Sequence, residues 1–418
     1  MMKVGKLTSW LTLLASALFM FHPAAAQQLL DPLIVYEPAT ENQVLPGARA
    51  SGMGGAQVAA GDDGSVIWYN PALMTRIKST EFSGTLTHQR FANNTAMSFG
   101  SVPEARVNNT SLGGLWAMFS VPVERGGLTL GLAVNRVRSF DRIFRYTTGI
   151  GPGMSNGGED ESGSLWAWSL GGAIELSPRS SLGLSLDILD GHDDYSYFYD
   201  SPYPSGFQEE NNINDEYTGV SGKIGVAYAA TNWLNLGAVI GLPASISIDQ
   251  TSDYYSYSDS GSSEDHGAAS YRYTLPFWVG AGAAATYRDF TFAGDISYVD
   301  YTQLEYWRGI QDISRANMTV KQYYNDALNL HLGAEYTIRP ADIRLRAGYY
   351  RQPIPFNGFP VEKQPNFFTF GAGFLIDKTV NLDLALLTGS WERRDPTIGS
   401  SENYNAQRFL ATISYRIK

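Results

Sequence analysis

The feature that most constrains this chain is a side-chain alternation with a period of two, recurring along nearly its whole length. In SLGLSLDIL (Ser181 to Leu189), Leu182, Leu184, Leu186 and Ile188 share one face, and Gly183, Ser185 and Asp187 share the other. NLHLGAEYTI repeats the pattern, with Leu330, Leu332, Ala334, Tyr336 and Ile338 opposite Asn329, His331, Gly333, Glu335 and Thr337. IRLRAGYY sets Ile343, Leu345, Ala347 and Tyr349 against Arg344, Arg346 and Gly348. Successive side chains of a strand point to opposite faces, so these segments are strands with one apolar and one polar face. No segment sustains a helical period.

The connections fall into two classes. Short turns are expected at VPVERGGL (Val121 to Leu128), ELSPRSSL (Glu175 to Leu182), YAATNWL (Tyr228 to Leu234), TYRDF (Thr286 to Phe290), TIRPADI (Thr337 to Ile343) and IDKTVNL (Ile376 to Leu382). Long polar stretches lie between them, at 91–111, 140–162, 190–216, 249–270, 301–325, 351–366 and 391–405. Six short turns alternating with seven long loops require fourteen strands, with both ends of the sheet on the short-turn side. TAMSFGSV (Thr95 to Val102) reads either as part of the first loop or as an extension of the first strand. Short turns at one end and long loops at the other are the signature of an outer-membrane barrel. The expected fold is therefore all-β, a 14-stranded antiparallel transmembrane β-barrel.

The N-terminus is expected to be a signal peptide, residues 1–26. Lys3 and Lys6 precede an apolar run of about a dozen residues, Trp10 to Phe21, and Ala24-Ala25-Ala26 forms a small-residue cleavage site. That run is shorter than the roughly 20 apolar residues of a membrane-spanning helix. Cysteine is absent, which argues against a small disulfide-stapled ectodomain. The formal charge is −11 and becomes more negative by two without Lys3 and Lys6, a balance that argues against a nucleic-acid partner. No cofactor motif is present. Asp193, Asp194, Asp253 and Asp259 match no calcium-loop spacing, so no metal site is expected. The histidines His88, His192, His266 and His331 form no nucleophile-base motif, and the chain is not read as an enzyme.

Residues 27–79 precede the first strand and do not alternate. Sixteen to eighteen strands enclose an aqueous channel, and fourteen should still leave a lumen that leaks if empty. These residues are accordingly expected to form a plug in the lumen, with 80–418 forming the barrel and its long extracellular loops. The stretch GARASGMGGAQVAAGDDGSVIWYNPALM, Gly47 to Met74, fits that task. Gly52, Gly54 and Gly55 permit close backbone packing. Asp62, Asp63 and Asn70 suit a polar lumen, and Trp68 and Tyr69 supply apolar bulk. A phosphate-loop reading fails, because the stretch follows no strand and lacks the Walker lysine.

These residues carry a family resemblance. The small-residue run, the acidic pair and the aromatic before Asn70-Pro71-Ala72 resemble the N-terminal hatch of the FadL/TodX outer-membrane transporters of hydrophobic compounds. DISYVDYTQLEYW (Asp295 to Trp307), IRLRAGYYRQPIP and FFTFGAGFLIDKTVNLDLAL resemble that family's later strands. ASGMGGAQVA is also similar to the PorV-like barrels of type IX secretion, whose partners are secreted proteins.

The FadL/TodX resemblance implies passive uptake of long-chain fatty acids or aromatic hydrocarbons, gated by a hatch containing Tyr69, Asn70, Pro71 and Ala72. It implies an outer-membrane location in a Gram-negative cell, with lipid and lipopolysaccharide around the wall. It places an outer ligand groove on the third and fourth long loops, where Tyr195, Tyr197, Phe198, Tyr199, Tyr254, Tyr255 and Tyr257 cluster. The same rings would equally serve as an interfacial girdle. It also puts a wall gap near the third strand, about Leu128 to Ser139, where Gly126, Gly127 and Gly131 would permit a kink. Alternation points Arg344 and Arg346 into the lumen. They are candidates either for pairing a ligand carboxylate or for bonding Glu335, Asp62 and Asp63.

Overall fold

The computed structural model describes residues 43–97, 100–101, 104–148, 154–202, 206–357, 361–395 and 400–417. The expected signal peptide and the first part of the expected plug, 27–42, lie outside the described residues. The wall begins with β1 (Thr80–Met97), β2 (Ala105–Val121), β3 (Leu128–Ser139, continued by Arg142–Thr148) and β4 (Ser155–Ser177). It continues with β5 (Ser180–Ser201), β6 (Phe207–Ala229) and β7 (Leu234–Gly241, continued by Ala244–Ser258). Next come β8 (Gly261–Leu275, continued by Trp278–Tyr287), β9 (Phe290–Asp300, continued by Glu305–Arg308) and β10 (Asp326–Ile338). The last four are β11 (Ile343–Arg351), β12 (Val361–Leu375), β13 (Val380–Asp395) and β14 (Ser400–Ile417).

Each strand pairs antiparallel with its sequence neighbour. β1 also pairs with β14, from Thr80 opposite Ile417 to Met97 opposite Ser400, and this ladder closes the cylinder. The breaks in β7 and β8 fall at Leu242-Pro243 and Pro276-Phe277, where proline removes a backbone donor.

Burial follows the expected alternation. Leu184, Leu186 and Ile188 of β5 are each half-exposed or more, at 50–56 %, while Ser185 and Asp187 between them are buried. On β14, Phe409 and Ile413 face out, and Arg408, Leu410 and Ser414 are buried. Half-exposed leucines on one soluble surface would be an aggregation hazard; repeated on every second residue around a cylinder, they form a lipid-contact belt. Among the described residues no helix is long and apolar enough to cross a membrane.

All six expected short turns join strands at one end. The long stretches differ from expectation. Stretch 190–216 is mostly the continuation of β5 and β6, paired out to Ser201 opposite Phe207. Stretch 249–270 is a hairpin of β7 and β8, paired to Ser258 opposite Gly261. Tyrosine alternating with Ser and Asp favours the extended backbone, and a ladder polar on both faces lacks the apolar periodicity by which the wall strands were read. Thr95–Met97 extends β1, and Gly100–Ser101 folds back against it. Stretch 301–325 departs from strand; it holds a 3-10 turn (Tyr301–Gln303) and the helix Ile313–Tyr323.

Candidate functional site

The segment before β1 is almost wholly buried. It contains α1 (Ala48–Gly52), α2 (Val66–Tyr69) and a 3-10 helix (Pro71–Arg76). α1 packs against β11 to β14, and the 3-10 helix packs against β3 to β6, so the segment crosses the lumen from wall to wall. Wall glycines form its seat. A Cβ on Gly348 would lie 2.3 Å from Gly54 N, one on Gly183 2.3 Å from Ala72 N, and one on Gly237 2.0 Å from Val58 O. Gly52 meets Gly371 of β12 backbone to backbone. Gly54 (φ +62) and Gly55 (φ +78) adopt the left-handed backbone that bends the chain after α1, a conformation disfavoured for residues with a Cβ.

Polar contacts hold the segment in place. Thr369 of β12 accepts from Gly54 N and donates to Gly52 O, each at 3.1 Å. His331 Nδ1 donates to Gly54 O (2.8 Å), and Val58 N donates to Asp295 Oδ2 of β9 (2.8 Å). Asn70 is fully buried. Its amide donates to Val58 O (2.8 Å) and to Val226 O of β6 (3.1 Å), and its Oδ1 accepts from Ala72 N (3.1 Å). Asn70 thus caps the 3-10 helix that Pro71 opens while binding the hatch to the wall, which explains Asn-Pro-Ala in physical terms. Tyr69 donates to Pro46 O (3.0 Å), Asp63 accepts from Ser65, and Trp68 lies under the Lys223 ammonium (3.8 Å).

The charges form a network. Arg49 of α1 pairs with Asp62 (3.0 Å) and approaches Glu335 (3.7 Å). Arg346 binds Glu335 (2.7 Å) and Asp383 (2.6 Å). Of the two roles open to Arg346, the structure shows the bond to Glu335. Arg344 is half-buried, within electrostatic range of Asp62.

The wall is interrupted beside the hatch. The ladder between β2 and β3 runs from Val121 opposite Leu128 to Gly114 opposite Asn135 and stops there. Asn135 to Asp141 are seven consecutive buried residues, so β3 abandons alternation and folds inward. This kink falls at none of the expected glycines: Gly126 and Gly127 lie in the short turn, and Gly131 is paired on both sides. It is held by side chains. Arg136 bonds Ser111 (2.7 Å), Ser164 (2.9 Å) and Asp141 (3.2 Å), and Phe140 stacks on Tyr217 (5.3 Å). Gln43 of the hatch forms a β-bridge with Arg138, and Val44 N donates to Val137 O (3.1 Å). The hatch thereby occupies an edge that β2 would otherwise have paired.

Rings line the lumen. Six consecutive strands, β10 to β14 and then β1, each contribute one: His331, Tyr350, Phe367, Trp391, Tyr404 and Phe91. Neighbouring centroids are 4.5–6.2 Å apart, and Tyr350 and Phe367 are nearly coplanar in orientation at 3°. A second group comprises Tyr271, Tyr273 and Tyr306. Sequence reasoning missed this arc, since each ring is separated from the next by a turn or loop.

The seven aromatics of the third and fourth long stretches divide between faces. Tyr195, Tyr197, Tyr199 and Tyr254 share parity with buried Asp187, Asp193 and Ile248 and point inward. Tyr197 meets Tyr146, hydroxyl to hydroxyl, at 3.2 Å. Phe198, Tyr255 and Tyr257 point outward. Phe198, Tyr199, Tyr255 and Tyr257 nevertheless line one open groove of about 450 Å³ with Glu209, Glu210 and Glu264. Burial pushes the Glu209 carboxyl above its usual range, and a hydrogen bond from Tyr254 opposes the shift. At the hairpin, the hydrogen bond to Asp253 raises the His266 imidazole above its ordinary value.

Comparison with known proteins agrees with this architecture. The Pseudomonas putida toluene transporter TodX superposes with a TM-score of 0.67 at 14 % identity, over 89 % of this chain and 98 % of its own. A Pseudomonas aeruginosa FadL homologue gives 0.66 at 12 %, over 91 % and 100 %. The Ralstonia pickettii toluene transporter TbuX gives 0.60 at 12 %, over 89 % and 98 %. No curated protein matches the sequence itself. The profile of the outer membrane protein transport family (OMPP1/FadL/TodX) matches residues 38–393. The chain belongs to the OMPP1/FadL/TodX family of outer-membrane transport proteins.

Proposed function

We propose that this outer-membrane transport protein carries hydrophobic small molecules, long-chain fatty acids or aromatic hydrocarbons, by passive passage through the hatch-gated barrel. Relatives of the same fold are named as toluene transporters, which supports an apolar cargo; nothing in the comparisons favours the secretion-partner reading. The aromatic groove at the tips of β5 to β8 gathers the ligand, and the lumenal arc of rings receives it. The belt outside contacts membrane lipid, with lipopolysaccharide in the outer leaflet.

One observation carries the gating step: Gln43 and Val44 sit on the β3 edge where β2 has left it. Backbone polar groups facing hydrocarbon need partners, and in the shut state the hatch supplies them. Shifting the hatch, whose bends are Gly54 and Gly55 and whose wall tie is Asn70, exposes a lateral path between β2 and β3. Directly opposed strand residues have Cβ atoms close to disulfide range. A Gln43→Cys/Arg138→Cys pair, in a chain that has no other cysteine, tests the idea. Oxidation should abolish uptake of labelled palmitate or toluene, and reduction should restore it. Undiminished uptake by the oxidised pair refutes the gate.

A further inference from the structure

Outside the wall, β8 ends in an open strand edge. β7 and β8 run on as a hairpin to the turn Asp259-Ser260, at the end of the barrel opposite the short turns. In outer-membrane barrels that end faces the cell exterior. Above Leu275, β8 pairs on its other side with β9 only where Arg272 to Thr274 face Arg308 to Glu305. Gly309 (φ +85) then turns the chain away; a Cβ on it would lie 1.9 Å from Ser270 O. The chain continues into the helix Ile313–Tyr323, which buries Ala316 and Val320 in the core. Among the described residues no strand pairs with the outer edge of Gly261 to Ala269. At about 3.4 Å per residue, that edge is roughly 30 Å long.

The edge is built to be paired. Ser258 and Gly261 close the turn as a hydrogen-bonded pair, so Ser262, Glu264, His266 and Ala268 aim their N–H and C=O groups away from β7. The His266 amide shows the consequence: it donates to the neighbouring side chain, Asp265 Oδ1 at 2.9 Å, rather than to a carbonyl across a ladder. Exposed edges are commonly guarded by lysine, proline or a bulge. GSSEDHGAAS, Gly261 to Ser270, contains neither lysine nor proline, and its register with β7 is unbroken. Its glycine, alanine and serine residues leave room for an incoming backbone.

Charge selects the visitor. From Asp190 to Glu216 and from Asp249 to Ser270, the tips of β5 to β8 carry many Asp and Glu residues but no Lys or Arg. His266 is already held between Asp253 (2.6 Å) and Glu264 (3.0 Å). A second copy of this edge would bring like charges face to face, which disfavours pairing. A strand with lysine or arginine at alternate positions would instead set cations beside Glu264, and the surrounding acidic field would steer it there.

We propose that the Gly261–Ala269 edge docks an extended cationic segment of an extracellular polypeptide, which joins the sheet as one more strand. Main-chain hydrogen bonds supply the affinity, and Glu264 and Asp265, on opposite faces of β8, supply the selectivity. The site goes beyond the transport reading and stands whatever the barrel carries.

Full-length protein in phosphatidylcholine nanodiscs is titrated with three probes, and empty nanodiscs give the background. The probes are a decapeptide of alternating lysine and valine, the same peptide methylated at every backbone nitrogen, and its glutamate-valine counterpart. The lysine peptide should bind at least about tenfold tighter than either control, since one loses the donors and the other reverses the charge. Ala268→Pro removes an N–H that plays no part in the β7 ladder and places a ring on the edge. It should cost about tenfold in affinity with the thermal melt unchanged. Glu264→Gln with Asp265→Asn should weaken binding several-fold. Equal binding of the methylated and unmethylated lysine peptides overturns the edge, and does so even if the proline variant folds poorly. Undiminished binding by Ala268→Pro with an unchanged melt overturns it too. A wild-type dimer in detergent that Ala268→Pro dissociates assigns the edge to a second copy and overturns the cationic partner.

Discussion

Asn70 in the hatch and Val226 in the wall are joined by a hydrogen bond of 3.1 Å, made by the same amide that ties the hatch to itself at Val58. The residue has no room to move: a Cβ on facing Gly225 would lie 2.0 Å from its Oδ1. Asn70→Ala removes one cap and two donors from a fully buried position and leaves Val226 O without its partner. The expected loss is about 1–3 kcal/mol. Urea unfolding followed by tryptophan fluorescence measures it, and increased sensitivity of cells to large antibiotics reports the loosened hatch.

The glycine seat makes a sharper contrast. Gly54→Ala forces a Cβ to within 2.6–2.8 Å of Leu332 O and Tyr349 backbone atoms at a φ of +62°. The hatch should fail to dock, and protease should cut the segment before β1. At Gly172 on the lipid face, the nearest atom to an added Cβ is a Leu130 methyl at 3.6 Å. Gly172→Ala should be indistinguishable from wild type in the same digest.

Arg346 bridges Glu335 and Asp383 with an almost completely buried side chain. Arg346→Met leaves two buried carboxylates with one cation less, a loss of about 3–5 kcal/mol for breaking a buried pair. Adding Glu335→Gln and Asp383→Asn should return part of it. Thermal melting of the single and triple variants decides; a triple variant no better than the single one would contradict the charge account.

His266 gives a pH dependence at the β7–β8 hairpin. Its Nδ1 faces Asp253 Oδ1 (2.6 Å) and its Nε2 faces Glu264 Oε1 (3.0 Å). The hydrogen bond to Asp253 raises its pKa above the ordinary 6.5. A raised histidine contributes stability fully below its unfolded value, and that contribution is lost as pH rises through the folded one. Amide exchange in the hairpin should therefore quicken above neutrality. NMR titration should place the imidazole above 6.5, and Asp253→Asn should move it back down.

The wall was legible because each strand writes its two faces into every second residue and each short turn carries Pro, Asp, Asn or Gly. The extensions of β5 to β8 were not, since strands polar on both faces resemble loops. Val137 to Asp141 gave no signal either: that bend comes from Arg136, Ser139 and Asp141 finding one another and not from glycine. Of the two lumenal arginines singled out, Arg346 is held by wall carboxylates.

The cylinder is sealed between its first and last strands, and the hatch comes immediately before the first. A chain built this way never has to thread its stopper through a finished ring. The stopper can lie against β11 to β13 while the sheet is still open, and β14 then shuts the seam around it. Its position in the primary structure therefore allows the stopper to be seated before the β1–β14 seam closes.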